Sequence, residues 1–393
     1  MDIGAVQKEY ESLKAKGLKL DMSRGKPSPE QLDLSLGLLA INAYKDNTGA
    51  DARNYGYLEG LPEARDFFAP LLGVNTEECI VGGNSSLELM YHCVNLQPNR
   101  GKWICPVPGY DRHFRISEKL GYELLSVPMT ANGPDMDSVE RLAADPKVQG
   151  IWCVPKYSNP DGYTYSGETV KRLASMETAN PNFRVFWDNA YAFHFLDPER
   201  QDYLLNILDE CRAADKADRP IIFCSTSKIT FAGAGVAALG ASANNIRIIS
   251  NYFSSMTIGF DKLNQLRHTR FFQAEGGIDA HMSKHAAILK PKFQTVLDIF
   301  EREFRHCPEL AHWTVPRGGY FISLFLRPGN AKKVVELCKN AGVILTEAGA
   351  AYPYGTDPDD SHIRIAPSYP GVSELGQAAK LLALSVKLAA GGQ

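Results

Sequence analysis

From residue 50 to about 285 the chain alternates short apolar runs with stretches of helical period. The runs "ECIVGG", "KWICPV", "YELLSVP", "VQGIWCVP", "FRVFWD" and "PIIFCS" read as buried strands of a mainly parallel sheet. Between them, "SLELMYHCVNL", "SVERLAADP" and "GETVKRLASMETAN" carry helical spacing. That alternation is α/β grammar. Beyond residue 285 the pattern changes. "AAILKPKFQTVLDIFEREF" predicts a long amphipathic helix, "WTVPRGGYFISLFL" antiparallel strands, "AKKVVELCKNAGVILT" a helix then a strand, and "HIRIAPS" another strand. The first 45 or so residues do not fit the sheet series. The expected division is a large domain over 50–285 and a smaller α+β domain made from 1–49 and 286–393.

Composition adds bounds. At 393 residues the chain is long enough for two domains. A net charge of −3 leaves no electrostatic footprint for nucleic acid or an anionic membrane. The N-terminal "MDIGAVQKEYESLKAKGLKL" mixes acids and bases and lacks a signal-peptide core. No apolar run approaches the roughly 20 residues that cross a bilayer. The eight cysteines form no C-x-x-C pair, and several sit in strand-like runs, which suits reduced thiols and a cytoplasmic location. The acidic "TDPDDSH" reads as a solvated turn, so no metal site is expected.

In open α/β sheets, ligands bind beyond the carboxyl ends of the strands. The residues just after each run are "GGNSS", "PGYDRH", "KYSNPDG", "DNAY" and "STSK". Lys228 is the one charged side chain between Arg219 and Arg247, amid small and apolar residues. A lysine so placed is a Schiff-base candidate, although it could also snorkel to the surface. Asp188 ends an apolar strand, where a carboxylate needs a cationic partner such as a protonated pyridine, unless it caps a helix. Tyr191 and Asn159 are placed to donate to the oxygen of such a ring, and Tyr110 to stack on it. Gly82, Gly83, Asn84, Ser85 and Ser86 join strand to helix, a ready phosphate site or else a plain N-cap. Ser225 and Ser227 add hydroxyls.

Taken in order, the phosphate loop, aromatic, Asn, Asp with Tyr at +3 and Ser-x-x-Lys resemble the fold-type-I aminotransferases that use pyridoxal 5′-phosphate. The likeness runs from "RNYGYLEGLPEARDFFA" to "HIRIAPSYP" and is nearest to the bacterial aspartate aminotransferases of subgroup Ic. It implies a seven-stranded type of sheet sandwiched by helices, a ping-pong amino-group exchange between aspartate and 2-oxoglutarate, and a homodimer. Lys228, Asp188 and Tyr191 take the catalytic positions. Asn84, Ser85, Ser86, Tyr110, Asn159 and Ser225 match coenzyme contacts, and Tyr55 matches a tyrosine that reaches the partner subunit's phosphate. Arg364 matches the arginine that grips the substrate α-carboxylate, with Gly25 and Asn159 beside the substrate.

One position departs from the pattern. Relatives commonly carry a phosphate-binding arginine eight residues after the lysine, and here Val236 stands there. A distal carboxylate needs a second cation, for which Arg24, Lys26, Arg112, Arg267, Arg270 and Arg317 are candidates. The competing expectations are another amino-acid specificity, lyase chemistry on the same coenzyme, or a non-catalytic sensing domain. Arg364 argues against decarboxylation, because it holds the carboxylate in place.

Overall fold

The computed structural model describes residues 2–391. Strand β1 (Leu20–Asp21) precedes the main sheet. That sheet contains β2 (Cys79–Val81), β3 (Lys102–Val107), β4 (Glu123–Thr130), β5 (Gly133–Pro134), β6 (Val148–Cys153), β7 (Arg184–Asp188), β8 (Pro220–Ser225) and β9 (Ala237–Ala241). Four further strands follow: β10 (Ala311–Trp313), β11 (Ile322–Leu326), β12 (Val343–Ile344) and β13 (His362–Ile365).

The main sheet has the order β2-β9-β8-β7-β6-β3-β4-β5. All six apolar runs of the sequence are strands in it. β3 pairs in parallel with β4 and β6, and β6, β7 and β8 continue in parallel. Strand β9 is antiparallel to both β2 and β8, so β2 runs with the parallel set. The sheet is thus seven strands, with the two-residue β5 hairpinned onto its edge. Alternate side chains enter opposite cores. Ile151, Cys153, Val185 and Trp187 belong to one apolar cluster, whereas Trp152 and Phe186 belong to another. A sheet covered on both faces reads as continuous apolar runs, which is why the runs were legible.

The early segment joins the C-terminal part. β1 pairs in parallel with β12, and the Tyr10 hydroxyl donates to the Leu337 carbonyl at 2.8 Å. β10, β11 and β13 form an antiparallel sheet, as the pattern predicts. The long helix begins earlier than read: it spans Ile278–Phe304, so the change at residue 285 falls inside one continuous helix. No described helix is long and apolar enough to cross a membrane.

One contact ties the turn after β6 to the β11–β13 sheet. Ser323 Oγ donates to Asp161 Oδ1 at 2.6 Å and lies 2.9 Å from His362 Nε2. All three residues are buried. Burial raises the Asp161 carboxyl to about 7, against the lowering effect of the Ser323 hydrogen bond. A carboxyl with a raised folded pKa stabilises the fold most below its unfolded value of 3.8, and that contribution is lost as pH rises through about 7. Asp161→Asn should therefore be more stable than the parent at pH 8 by on the order of 3 kcal/mol, with the gap closing toward pH 4. Urea midpoints at the two pH values check this. A gap that does not change with pH refutes it.

Candidate active site

The strand order turns at one place. From β3 the chain steps outward to β4 on one side, while from β6 it steps to β7 and β8 on the other. Ligand sites form at such a switch, beyond the carboxyl ends. Tyr110 follows β3, Asn159 follows β6, Asp188 ends β7, and Ser225 ends β8 with Lys228 just beyond. The sheet thus brings together residues more than a hundred positions apart.

A cavity of about 500 Å³ opens there, lined by Gly25, Tyr110, Asn159, Tyr191, Lys228 and Arg364 among others. The Lys228 ammonium lies 4.8 Å from the Tyr191 ring centroid. Burial pushes the Tyr110 hydroxyl up to about 12 and raises that of Tyr191 further, so both stay protonated donors. Asn159 is buried and lines the same cavity as Tyr191.

Asp188 does not cap a helix; a turn follows it. Its Oδ2 is 3.0 Å from His113 Nε2, and the His113 ring stacks on Trp152 with centroids 4.2 Å apart at 7°. Its Oδ1 is buried without any partner. An unpaired carboxylate oxygen in such a place is costly unless a cationic donor meets it. The ring nitrogen of pyridoxal phosphate is a donor of that kind.

Arg364 is held similarly. Its Nη1 donates to Asp111 Oδ1 at 3.1 Å and to Asn159 Oδ1 at 3.4 Å, and its guanidinium lies over the Phe321 ring at 4.9 Å. Its Nε is buried and has no partner. Gly25 lies against the same Phe321 ring, where an added Cβ would come within 2.5 Å. The glycine lets the 23–26 segment close against that wall.

Three hydroxyls converge at the other end. Ser86 Oγ is 3.5 Å from Ser225 Oγ, which is 3.1 Å from Ser227 Oγ. Ser86 opens the Ser86–Asn95 helix, and Ser85 before it makes no side-chain capping bond. Free N–H groups of a first turn with hydroxyls clustered beside them suit a phosphate. The Asn84 N–H, by contrast, is taken by Glu88 Oε2 at 3.2 Å. Val236 is not part of this cup. It is packed into the core, and its N–H donates to Thr226 Oγ1 at 3.0 Å. These residues fit pyridoxal phosphate, with hydroxyls and N–H groups in place of the usual arginine.

Three candidate cations have partners elsewhere in the chain. Arg267 donates to the Ile41 carbonyl, Arg270 pairs with Glu63 at 3.0 Å, and Arg317 pairs with Asp202 at 3.1 Å. None of them lines the cavity of its own chain, whereas Arg24, Lys26 and Arg112 do, joined by Arg115, which the sequence reading missed. Tyr55 is 79% exposed and also lies outside that lining. His113 and Asp111 were missed as well. Both sit within the quoted "PGYDRH", and His113 is three residues from Tyr110, the helical spacing that puts two side chains on one face.

A family model described as aspartate amino-transferase matches residues 2–393. An aspartate aminotransferase of Corynebacterium glutamicum is 46% identical, over 98% of this chain and 93% of that protein. The crystal structure of an aspartate transaminase from the same species superposes with a TM-score of 0.96 at 45% identity, covering 99% of this chain and 96% of that one. LysN of Thermus thermophilus, an α-aminoadipate aminotransferase solved with N-(5′-phosphopyridoxyl)-L-leucine, shares the fold with a TM-score of 0.79 at 20% identity, over 97% of this chain and 96% of that one.

Proposed function

The chain belongs to the aspartate amino-transferase family and is an aminotransferase, and we propose that it exchanges an amino group between aspartate and 2-oxoglutarate, in the cytoplasm, as a homodimer loaded with pyridoxal phosphate. The observation that carries the reading is the orphaned Asp188 Oδ1, buried at the carboxyl end of β7 beside the strand that leads to Lys228. In this reading residues 50–285 carry the coenzyme, and 1–49 with 286–393 form the smaller domain.

When bound, the coenzyme supplies a cationic ring that accepts electrons from the substrate Cα. The Arg364 fork grips the α-carboxylate and so fixes the direction of the Cα–H bond. The Lys228 amine would hold the coenzyme between reactions and, when free, would take the substrate Cα proton as base and give it back as acid. The charge on Asp188, oriented by His113, would keep the ring nitrogen protonated. Asn159 and Tyr191 would donate to the ring oxygen, Tyr110 would cover the ring face, and Asn84, Ser85, Ser86 and Ser225 would hold the phosphate. Tyr55 would reach the partner subunit's phosphate. The four cavity-lining cations besides Arg364 and Lys228 support a dicarboxylic substrate.

Purified enzyme with aspartate and 2-oxoglutarate should form oxaloacetate and glutamate. Removing Arg24, Lys26, Arg112 and Arg115 one at a time should identify the distal partner, as the variant whose KM rises about tenfold or more for aspartate but not for alanine. Consumption of aspartate without oxaloacetate would instead indicate a lyase.

A further inference from the structure

Lys228 is held from behind by a buried polar cluster. Its backbone carbonyl accepts the Tyr320 hydroxyl at 3.2 Å and lies 3.3 Å from His194 Nε2. The next carbonyl, that of Ile229, is 2.9 Å from His281 Nε2. His285 Nε2 lies 3.1 Å from His281 Nε2. Gln31 closes the ring: its amide nitrogen donates to the Tyr320 oxygen at 2.9 Å and meets His285 Nδ1 at 3.0 Å. None of Gln31, His194, His281, His285 and Tyr320 is more than 1% exposed.

The hydrogen-bond network assigns the protons. Gln31 Oε1 accepts the Ser28 N–H at 3.1 Å, so its NH₂ faces His285. His285 Nδ1 must then be bare, and its proton sits on Nε2. His281 Nε2 must carry a proton to meet the Ile229 carbonyl. Both imidazoles are neutral, and the His281 Nε2–H is aimed at the Ile229 carbonyl. Burial supports this, lowering His285 to about 3 and His281 below its ordinary value.

A loop carbonyl can be satisfied by one nearby group. Here two successive carbonyls draw donors from three segments far apart in sequence, those of His194, His281 and Tyr320, and Gln31 from a fourth braces Tyr320. Two of those segments, the ones that carry Gln31 and Tyr320, also build the substrate wall. Tyr320 precedes Phe321, which packs on Gly25 and Arg364, and Gln31 lies five residues beyond Lys26. Lys228 has a long side chain, so the place its amine reaches depends on a fixed backbone origin.

We infer that Gln31, His281, His285 and Tyr320 are positioning residues, a clamp on the 228–229 backbone that sets the reach of the Lys228 amine toward the substrate Cα. The inference rests on Lys228 being the proton carrier of the proposed function.

Tyr320→Phe, which deletes a single oxygen, and the pair His281→Leu and His281→Gln test it in the coenzyme-loaded enzyme. Tyr320→Phe and His281→Leu should lower kcat about 10- to 100-fold while the KM for aspartate stays within about twofold. The pH midpoint of the bound coenzyme's visible absorbance should move by about half a unit or more, because the amine is displaced relative to Asp188, Tyr191 and Tyr110. His281→Gln, which keeps a side-chain N–H, should recover most of both. Wild-type kcat and an unmoved midpoint in Tyr320→Phe would overturn the clamp. So would a lowered Tm alone, or His281→Gln behaving like His281→Leu. If the parent protein shows no visible coenzyme band, the aminotransferase reading itself fails, a result distinct from failure of the clamp.

Discussion

Lys228→Ala should reduce turnover of aspartate by at least about 10⁴-fold and abolish the visible absorbance of covalently held pyridoxal phosphate. No neighbouring amine replaces it. Lys26, the other lysine lining the cavity, lies over the Tyr369 ring at 3.9 Å on a different wall. Lys228→Arg separates charge from proton transfer. A guanidinium keeps the positive charge beside Tyr191 but does not give up its proton near neutral pH, so this variant should be as inactive as the alanine form. Small primary amines added to Lys228→Ala should restore part of the rate, since a free base can then take the Cα proton. Steady-state assays of oxaloacetate and a spectrum of each variant decide the matter. If Lys228→Arg keeps activity within tenfold of the parent, the amine is not the base.

How much of this was legible depends on what each feature asks of distant residues. The parallel strands announced themselves because both faces of the sheet are covered, and their runs are rich in β-branched and aromatic residues. Strand β9 escaped notice because its sequence, Ala-Ala-Leu-Gly-Ala, has no such residue, although all five positions are buried. The Ile278–Phe304 helix was read from residue 286 because its first turns bury histidines, His281 and His285, whose role appears only once Gln31 and Ile229 are beside them. Site residues that end strands were readable, since the fold class alone locates them. Partners supplied across the fold were not: 75 residues separate His113 from Asp188, and 253 separate Asp111 from Arg364. The same holds for Arg267, Arg270 and Arg317. Their charge was visible in sequence, but their commitment to Ile41, Glu63 and Asp202 was not.

The second large effect falls on Asp188. Its Oδ2 is committed to His113, while its Oδ1 faces no protein donor. A buried carboxylate with one free oxygen is stable only if a cation arrives, and removing one member of a buried pair costs about 3–5 kcal/mol. If the arriving cation is the coenzyme's ring nitrogen, Asp188→Ala should slow turnover by about 10²- to 10³-fold, since each factor of ten is about 1.4 kcal/mol. Asp188→Asn should lose nearly as much, because it keeps the shape and gives up the charge. Both variants should still bind the coenzyme covalently through Lys228, so the visible band survives while the rate does not. That pattern separates ring protonation from attachment. His113→Phe keeps the stack on Trp152 and deletes only the hydrogen bond to Oδ2. It should cost about tenfold, because it acts through the orientation of Asp188. Asp188→Asn with near-parental kcat would mean that the ring nitrogen needs no anion here, and that the buried charge at the end of β7 serves the fold alone.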